Sequence, residues 1–319
     1  MEDTTPAILK NNDSQGCSLR LKHTEHEHIV EIIARFAPLA FRRPVSKSEV
    51  EHLADLATPI LAEERPLLEA LRVSLRSILS SPSFLYQAGE SGDLDEYSLA
   101  SRLSYFLWRS LPDNELLELA ERGTLSDQEI LHRQVKRMLE SPKSQRFIRD
   151  FVGQAYRLNE LKATSPDKGL YPEYDDRLGQ AMQMETELFL AELVSANLSL
   201  ETLIDSDFTF LNRRLADHYQ IDEVKGQHMR KVNLPPDSPR GGLLSQASIH
   251  KLTANGTTTS PVPRGNFVLT NLLGQPAPPP PPGVAGLEPD TRGTTTVREQ
   301  LSAHRSAPIC ASCHTRIDP

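Results

Sequence analysis

At 319 residues the chain is long enough to bury a sizeable core and to hold two domains. Hydrophobic residues make up 38% and charged residues 24%, and the net charge is −8. That acidity argues against nucleic acid, because an acidic surface repels phosphate unless a local basic face offsets it, and the pairs Arg42-Arg43 and Arg213-Arg214 are too short to form one and read as solvated helix surface. No apolar run approaches the roughly 20 residues needed to cross a bilayer, so no transmembrane segment is expected.

Residues 1 to about 25 read as a polar, disordered tail holding a lone Cys17, and the histidines His23, His26 and His28 at its end read as solvated. Ile29, Ile32, Ile33 and Phe36 recur at helical spacing and predict a helix to about Ala40, broken at Arg43-Pro44. Ser46 and Glu49 form a capping box opening a helix to about Ala57. Pro66 opens another, with Leu68, Leu71, Leu75 and Leu79 on one face, and Ser81-Pro82 ends it. Tyr97, Leu99, Leu103, Phe106 and Leu107 mark an apolar helix ending near Trp108, the only tryptophan, read as a core anchor. Asp113 caps the next helix and Gly123 stops it. Ser126 and Glu129 form a second capping box, for a helix to about Leu139; another runs from about Lys143 to Leu158.

A long helix spans about Asp175–Ala196, with Leu178, Met182, Leu188, Phe189 and Leu193 among its apolar positions. The carboxylate pairs Glu185/Glu187 and Asp205/Asp207 are spaced by two, which points their side chains apart on a helix and reads as surface solvation. Short helical pieces follow at 200–204 and 210–219, and two short strands at 221–225 and 229–234 could pair as a hairpin. Arg240-Gly241-Gly242 reads as a place of close backbone packing, and Ser260-Pro261 opens a helix to about Leu273. Pro278–Pro282 predict a stiff polyproline spacer. A third capping box, Thr296/Glu299, starts a helix to about His304. The expected fold class is all-α with at most one short hairpin. Its domains run 1–25 (tail), 26–88 (small helical domain), 89–275 (main helical domain), 276–293 (linker) and 294–319 (cofactor segment).

The last stretch carries the chemistry. Cys310-Ala-Ser-Cys313-His314 is the Cys-x-x-Cys-His signature of c-type haem attachment. Two cysteines three apart reach two vinyl groups from one helical turn, and the adjacent imidazole can bind the iron. Other uses of the same residues are a zinc site completed by His304 or Asp318, or a redox cysteine pair, which the lack of a surrounding βαβ pattern disfavours. A sixth iron ligand could come from His304, the nearest candidate in sequence; His218, Met229, Met182 and Met184 are the others, each better read as packing. The start of the chain has no basic end followed by an apolar core, whereas haem is attached outside the bacterial cytoplasm. The sequence is therefore expected to be a fragment of a longer exported protein.

Several stretches together resemble a known family: AFRRPVSKSEV (40–50), SPSFLY (81–86), LASRLSYFLWRSLPDNEL (99–116), TFLNRRLADHY (209–219), RGGLLSQASI (240–249), TSPVPRGNFVL (259–269), the proline run and HRSAPICASCHTRIDP (304–319). They resemble large multi-domain bacterial proteins, abundant in planctomycetes, that string domains of unknown function around a cytochrome-c-type motif. The resemblance implies export to the periplasm or cell envelope and covalent haem c at Cys310, Cys313 and His314; it assigns no reaction. The expected function is electron transfer with a redox partner protein of the envelope. The alternatives are a haem enzyme with an open distal position for peroxide or oxygen chemistry, or a non-redox binding or scaffold module whose Cys-x-x-Cys-His holds zinc or no cofactor, with polysaccharide association of the full-length protein. No hydrolase elbow, zinc-protease helix or Walker loop occurs in the sequence.

Overall fold

The computed structural model describes residues 24–86, 92–259, 261–278, 296–306 and 308–317. Cys17, His23 and the proline spacer from Pro279 onward lie outside them. The elements are helical apart from one two-stranded sheet, as the sequence predicts. No helix among the described residues is long and apolar enough to cross a membrane. The chain divides into two units, one taking residues up to Ser104 and Leu111–Gln128, the other Tyr105–Ser110 and Glu129 onward.

The first unit holds α1 (Glu25–Phe41), α2 (Lys47–Asp55), α3 (Thr58–Ala62), α4 (Leu67–Ser80), α5 (Pro82–Leu85), the Glu96–Ser104 part of α6 (Glu96–Trp108), and α7 (Asn114–Glu121). Complete capping boxes start α1 (Thr24/Glu27) and α2 (Ser46/Glu49), satisfying amides that a helix start leaves free. Ile29, Ile33, Ala37 and Ala40 of α1 are buried against Val50 and Ala54 of α2 and Ala70, Ser74 and Ile78 of α4. Each buried isoleucine contributes roughly 1.5–3 kcal/mol, and the small residues between them let the helices approach closely. The buried stripe of α4 therefore differs from the expected one. Leu68 and Leu79 are exposed, Leu71 and Leu75 pack partly against the core, and the fully buried positions are Ala70, Ser74 and Ile78.

Arg42 also departs from expectation. It takes a left-handed conformation (φ 57°) just past α1 and is only 5% exposed. Its guanidinium donates to the carbonyls of Ala40 (3.1 Å), Ser83 (2.9 Å), Phe84 (3.2 Å) and Tyr86 (3.1 Å). The side chain ties the end of α1 to α5 and to the residue after it, where α5 leaves carbonyls without helical partners. Ser126 likewise gives its N–H and hydroxyl to Glu96 rather than heading a capping box, and the next helix, α8 (Gln128–Glu140), starts two residues later.

The second unit contains α8 from Glu129 on, α9 (Gln145–Ala155), α10 (Asp176–Ser195), β1 (Phe208–Leu211), α11 (Arg213–Tyr219), β2 (Arg230–Asn233), α12 (Ala247–Leu252), α13 (Pro261–Phe267) running into a π-turn at Val268–Leu272, α14 (Val297–Arg305) and α15 (Pro308–Ile317). Trp108 anchors this core as expected: it is 3% exposed and its indole N–H donates to the Met138 carbonyl at 2.9 Å. Phe106, two residues earlier, is exposed instead of buried.

The long helix α10, capped by Asp175, buries two faces and leaves Arg177, Gln180 and Met184 exposed. One face joins Ile148, Val152, Phe208, Leu243, Ile249 and Phe267 through Phe189 and Leu193. The other, through Leu178 and Met182, meets Leu211, Leu215, Tyr219 and Ala247. The expected strand at 229–234 forms, but its partner is not 221–225. β2 pairs antiparallel with β1, Phe208 opposite Asn233 and Leu211 opposite Arg230, with α11 in the connection. Phe208 and Leu211 are core residues, so this pairing buries an apolar strand that 221–225 could not supply.

Candidate functional site

Two places in the second unit bring chemistry-bearing residues together. The first is α15. Cys310, Cys313 and His314 all fall on this one helix, so positions i, i+3 and i+4 share a face. His314 is half-buried. The helix is held from the α13 side: a Cβ on Gly265 would run into the Ile317 carbonyl, so the two backbones meet with no room for a methyl group. Arg316 also reaches the Gln275 side-chain oxygen at 3.4 Å. His304 falls on α14, capped by the predicted Thr296/Glu299 box. The side chains of His304, Cys310 and Cys313 lie outside the described residues.

The second is a cleft of about 300 Å³, open to solvent, between the loop 161–174, the start of α10, the end of α11, α12 and the loop 254–259. The two loops are laced together: the Asp167 amide donates to the Gly256 carbonyl (2.8 Å), and the Tyr171 hydroxyl donates to the Thr257 carbonyl (3.2 Å). Leu178, Met182 and Ala247 form its apolar lining; Tyr174, His218, Tyr219, Arg240, His250 and Lys251 bring the polar groups.

Beneath the cleft lies a buried polar cluster. Glu185 of α10 is 1% exposed, not the solvated carboxylate its i, i+2 spacing suggested. Thr209 of β1 donates to it at 2.6 Å and the Tyr219 hydroxyl at 2.5 Å. The Ala247 amide, at the start of α12, donates to the Tyr219 oxygen at 2.7 Å. Burial pushes the Glu185 carboxyl up to about 7, with its two hydroxyl donors acting the other way. One residue along α10, the Thr186 hydroxyl meets Gln246 and Ser248, each at 2.6 Å. These bonds bind α10 to β1, α11 and α12.

Arg240 lies over the Tyr219 ring, 3.7 Å from its centroid, and donates to the Ser245 carbonyl at 3.0 Å. Close backbone packing at Gly241-Gly242, as expected, holds it there. Gly242 has φ 73°, and a Cβ on it would strike the Ile204 carbonyl. Lys251 donates to the carbonyls of Leu161 and Thr164, pinning the loop across the cleft. Both cleft histidines have lowered pKa values, His218 through desolvation and His250 through desolvation and the neighbouring Arg264. Each therefore favours its neutral form.

Of the candidate iron ligands, His218 and Met182 come together in this cleft, with His218 Nδ1 3.8 Å from Glu173. Met184 is exposed, and Met229 packs beside the α10–α11 core. Glu185 beneath the cleft, and the cleft residues Tyr219, Arg240, His250 and Lys251, have no functional role assigned from the sequence. The Glu185 signal was present: positions 178, 182, 185, 189 and 193 step along α10 at core spacing, and all five are buried.

Three family models match the chain in order, each described as a protein of unknown function: PSD5 (DUF1595) over residues 29–88, PSD4 (DUF1592) over 94–221, and PSCyt3 (DUF1588) over 240–319. Each model covers less than half of the chain, so these are three stretches similar to families of unknown function. A search of curated proteins and a search of solved structures give no match. The cleft is shared between two of these segments: Tyr174, Met182, His218 and Tyr219 come from the PSD4 segment, and Arg240, Ala247, His250 and Lys251 from the PSCyt3 segment. The Cys-x-x-Cys-His stretch lies wholly within PSCyt3.

Proposed function

We propose that this chain is a c-type-haem-associated protein of the bacterial cell envelope, acting in electron transfer with an envelope partner. The observation that carries this reading is the placement of Cys310, Cys313 and His314 on one helical face of α15, inside a cytochrome-c-like segment. The donor set fits the group. Two thiols one turn apart suit two thioether bonds, and the adjacent imidazole suits an axial position. When bound, haem c supplies one-electron chemistry. The contribution of the chain's own residues is to fix α15 through the tight contact of Gly265 with Ile317. His304, on the preceding helix, is the candidate second axial ligand.

The test is expression with an exported leader alongside the cytochrome c maturation machinery, followed by absorbance in alkaline pyridine. A haem c spectrum that is lost in the Cys310→Ala/Cys313→Ala variant supports attachment. A low-spin native spectrum then supports electron transfer, and a high-spin one that changes with peroxide or cyanide favours an enzyme with an open position. Absence of haem in the wild-type chain, with stoichiometric zinc in the same sample, overturns the reading.

A further inference from the structure

The cleft above Tyr219 is chemically separate from the haem motif, and its charge balance is one-sided. Arg240 and Lys251 both line it, and neither forms an ion pair among the described residues: Arg240 is bonded through Nη1 to a carbonyl and stacked on Tyr219, and Lys251 is bonded to two carbonyls. Neither nearby carboxylate is ion-paired with them: Glu173, the one carboxylate of the cleft lining, sits against His218, and Glu185, which feels the charge of Arg240, lies below the Tyr219 ring and does not line the cleft.

The open donors have a shape. With Nη1 used and one face covered by Tyr219, the Nε and Nη2 edge of Arg240 is without a protein partner among the described residues. That edge is a planar two-donor fork, which matches a carboxylate better than the compact ammonium of lysine would. The bond to the Ser245 carbonyl and the stack on Tyr219 hold the guanidinium before any ligand arrives, so little ordering is lost on binding. Part of the lining is apolar or aromatic, from Leu178, Met182, Ala247 and Tyr174, beside polar groups such as His218, His250 and Thr258, and a flat apolar body laid on the apolar part would be shielded from water there. A volume of about 300 Å³ is at the lower end of the roughly 300–1,000 Å³ of small-molecule sites.

We infer that this cleft is a binding site for a small organic carboxylate with an apolar body, its carboxylate held on the free edge of Arg240 and its body against Leu178, Met182 and Tyr174. The site takes residues from both the PSD4 and PSCyt3 segments, all of them within the unit that runs from Glu129 onward.

The test is calorimetric titration of the 319-residue chain with four probes: benzoate, benzamide (the same body without the charge), acetate (the charge without the body) and inorganic phosphate. Benzoate should bind at least about tenfold more tightly than each of the other three. Arg240→Lys keeps the charge but loses the fork, and should weaken benzoate by about tenfold. Absence of benzoate binding up to about 10 mM, or benzamide or phosphate binding as tightly as benzoate, overturns the inference. These arms need only the wild-type chain, so they decide the matter even if the variant misfolds. Undiminished benzoate affinity in a folded Arg240→Lys protein overturns it as well. The Cys310→Ala/Cys313→Ala chain should give the same probe ranking, which separates failure of this site from failure of the haem reading.

Discussion

Tyr219, the last residue of α11, donates its phenolic hydrogen to Glu185 of α10 across 2.5 Å and takes a hydrogen bond from the Ala247 amide of α12 on the same oxygen. One hydroxyl thus joins three helices around a carboxyl group that has no access to water. The arrangement is stiff because every group in it is used. It is also sensitive to charge, because a buried carboxylate is stabilised only by the donors aimed at it.

The first prediction follows from the sign of the Glu185 shift. Burial raises its pKa from 4.5 to about 7 in the folded chain. Between these values the unfolded chain releases the proton and the folded chain keeps it, so this group's contribution to stability falls as pH rises and levels off above about 7. The full change is on the order of 3 kcal/mol. Glu185→Gln cannot titrate. Its stability relative to wild type should therefore improve by about that amount between about pH 4.5 and pH 8. Urea unfolding of both proteins across this range checks it; a constant difference would mean Glu185 is not buried as described.

Glu49 behaves oppositely in the first unit. Its hydrogen bond from Arg43, at 2.8 Å, and the Ser46 amide lower its pKa from 4.5 to about 2. A lowered folded pKa gives stability that is present above 4.5 and lost as pH falls through about 2. The pair is partly exposed, so solvent screening limits the contribution to about 1 kcal/mol or less. Glu49→Gln should be less stable than wild type at neutral pH by that small margin, and the two should converge near pH 2 in circular-dichroism titrations.

How far the sequence reveals this molecule depends on the range of the interactions. Capping boxes at Ser46/Glu49 and Thr296/Glu299 are local and read directly from four residues. The Cys-x-x-Cys-His helix is equally local. Glu185 was legible in part: its spacing from Met182 and Phe189 puts it on the core stripe of α10, but the hydroxyls that satisfy it come from Thr209 and Tyr219, which only the tertiary fold supplies. The partner of β2 was hidden for the same reason, since α11 intervenes between the strands. Arg42 was hidden because a charged residue after a helix looks solvated until four carbonyls converge on it.

Those four carbonyls give the third prediction. Arg42→Ala leaves the buried acceptor at Ala40 and the partly buried ones at Ser83, Phe84 and Tyr86 without this donor. Each unsatisfied group costs about 1–3 kcal/mol, partly recovered by relaxation and water, so a loss of roughly 2–4 kcal/mol is expected. Arg42→Lys should recover only part of it, because one ammonium cannot span donors aimed at four carbonyls. Denaturant midpoints for the two variants test this. Equal loss in both, or no loss in either, would contradict the clamp.

The last prediction sets two opposing effects against each other at Gly265. In an unencumbered helix, replacing glycine by alanine stabilises by about 1 kcal/mol. Here the added methyl would meet the carbonyl oxygen of Ile317 and come within 3.3 Å of its Cγ2. The carbonyl is backbone and cannot rotate away, so α15 must shift as a body, and overpacking of this kind costs typically 1–3 kcal/mol. Packing should win, so Gly265→Ala should be less stable than wild type. Amides of residues 309–317 should exchange faster, with those of α10 unchanged. A net stabilisation would show that α15 is not seated on α13. Loosened α15 should also lower haem incorporation under maturation conditions, because the residues proposed to hold the haem ride on the displaced helix.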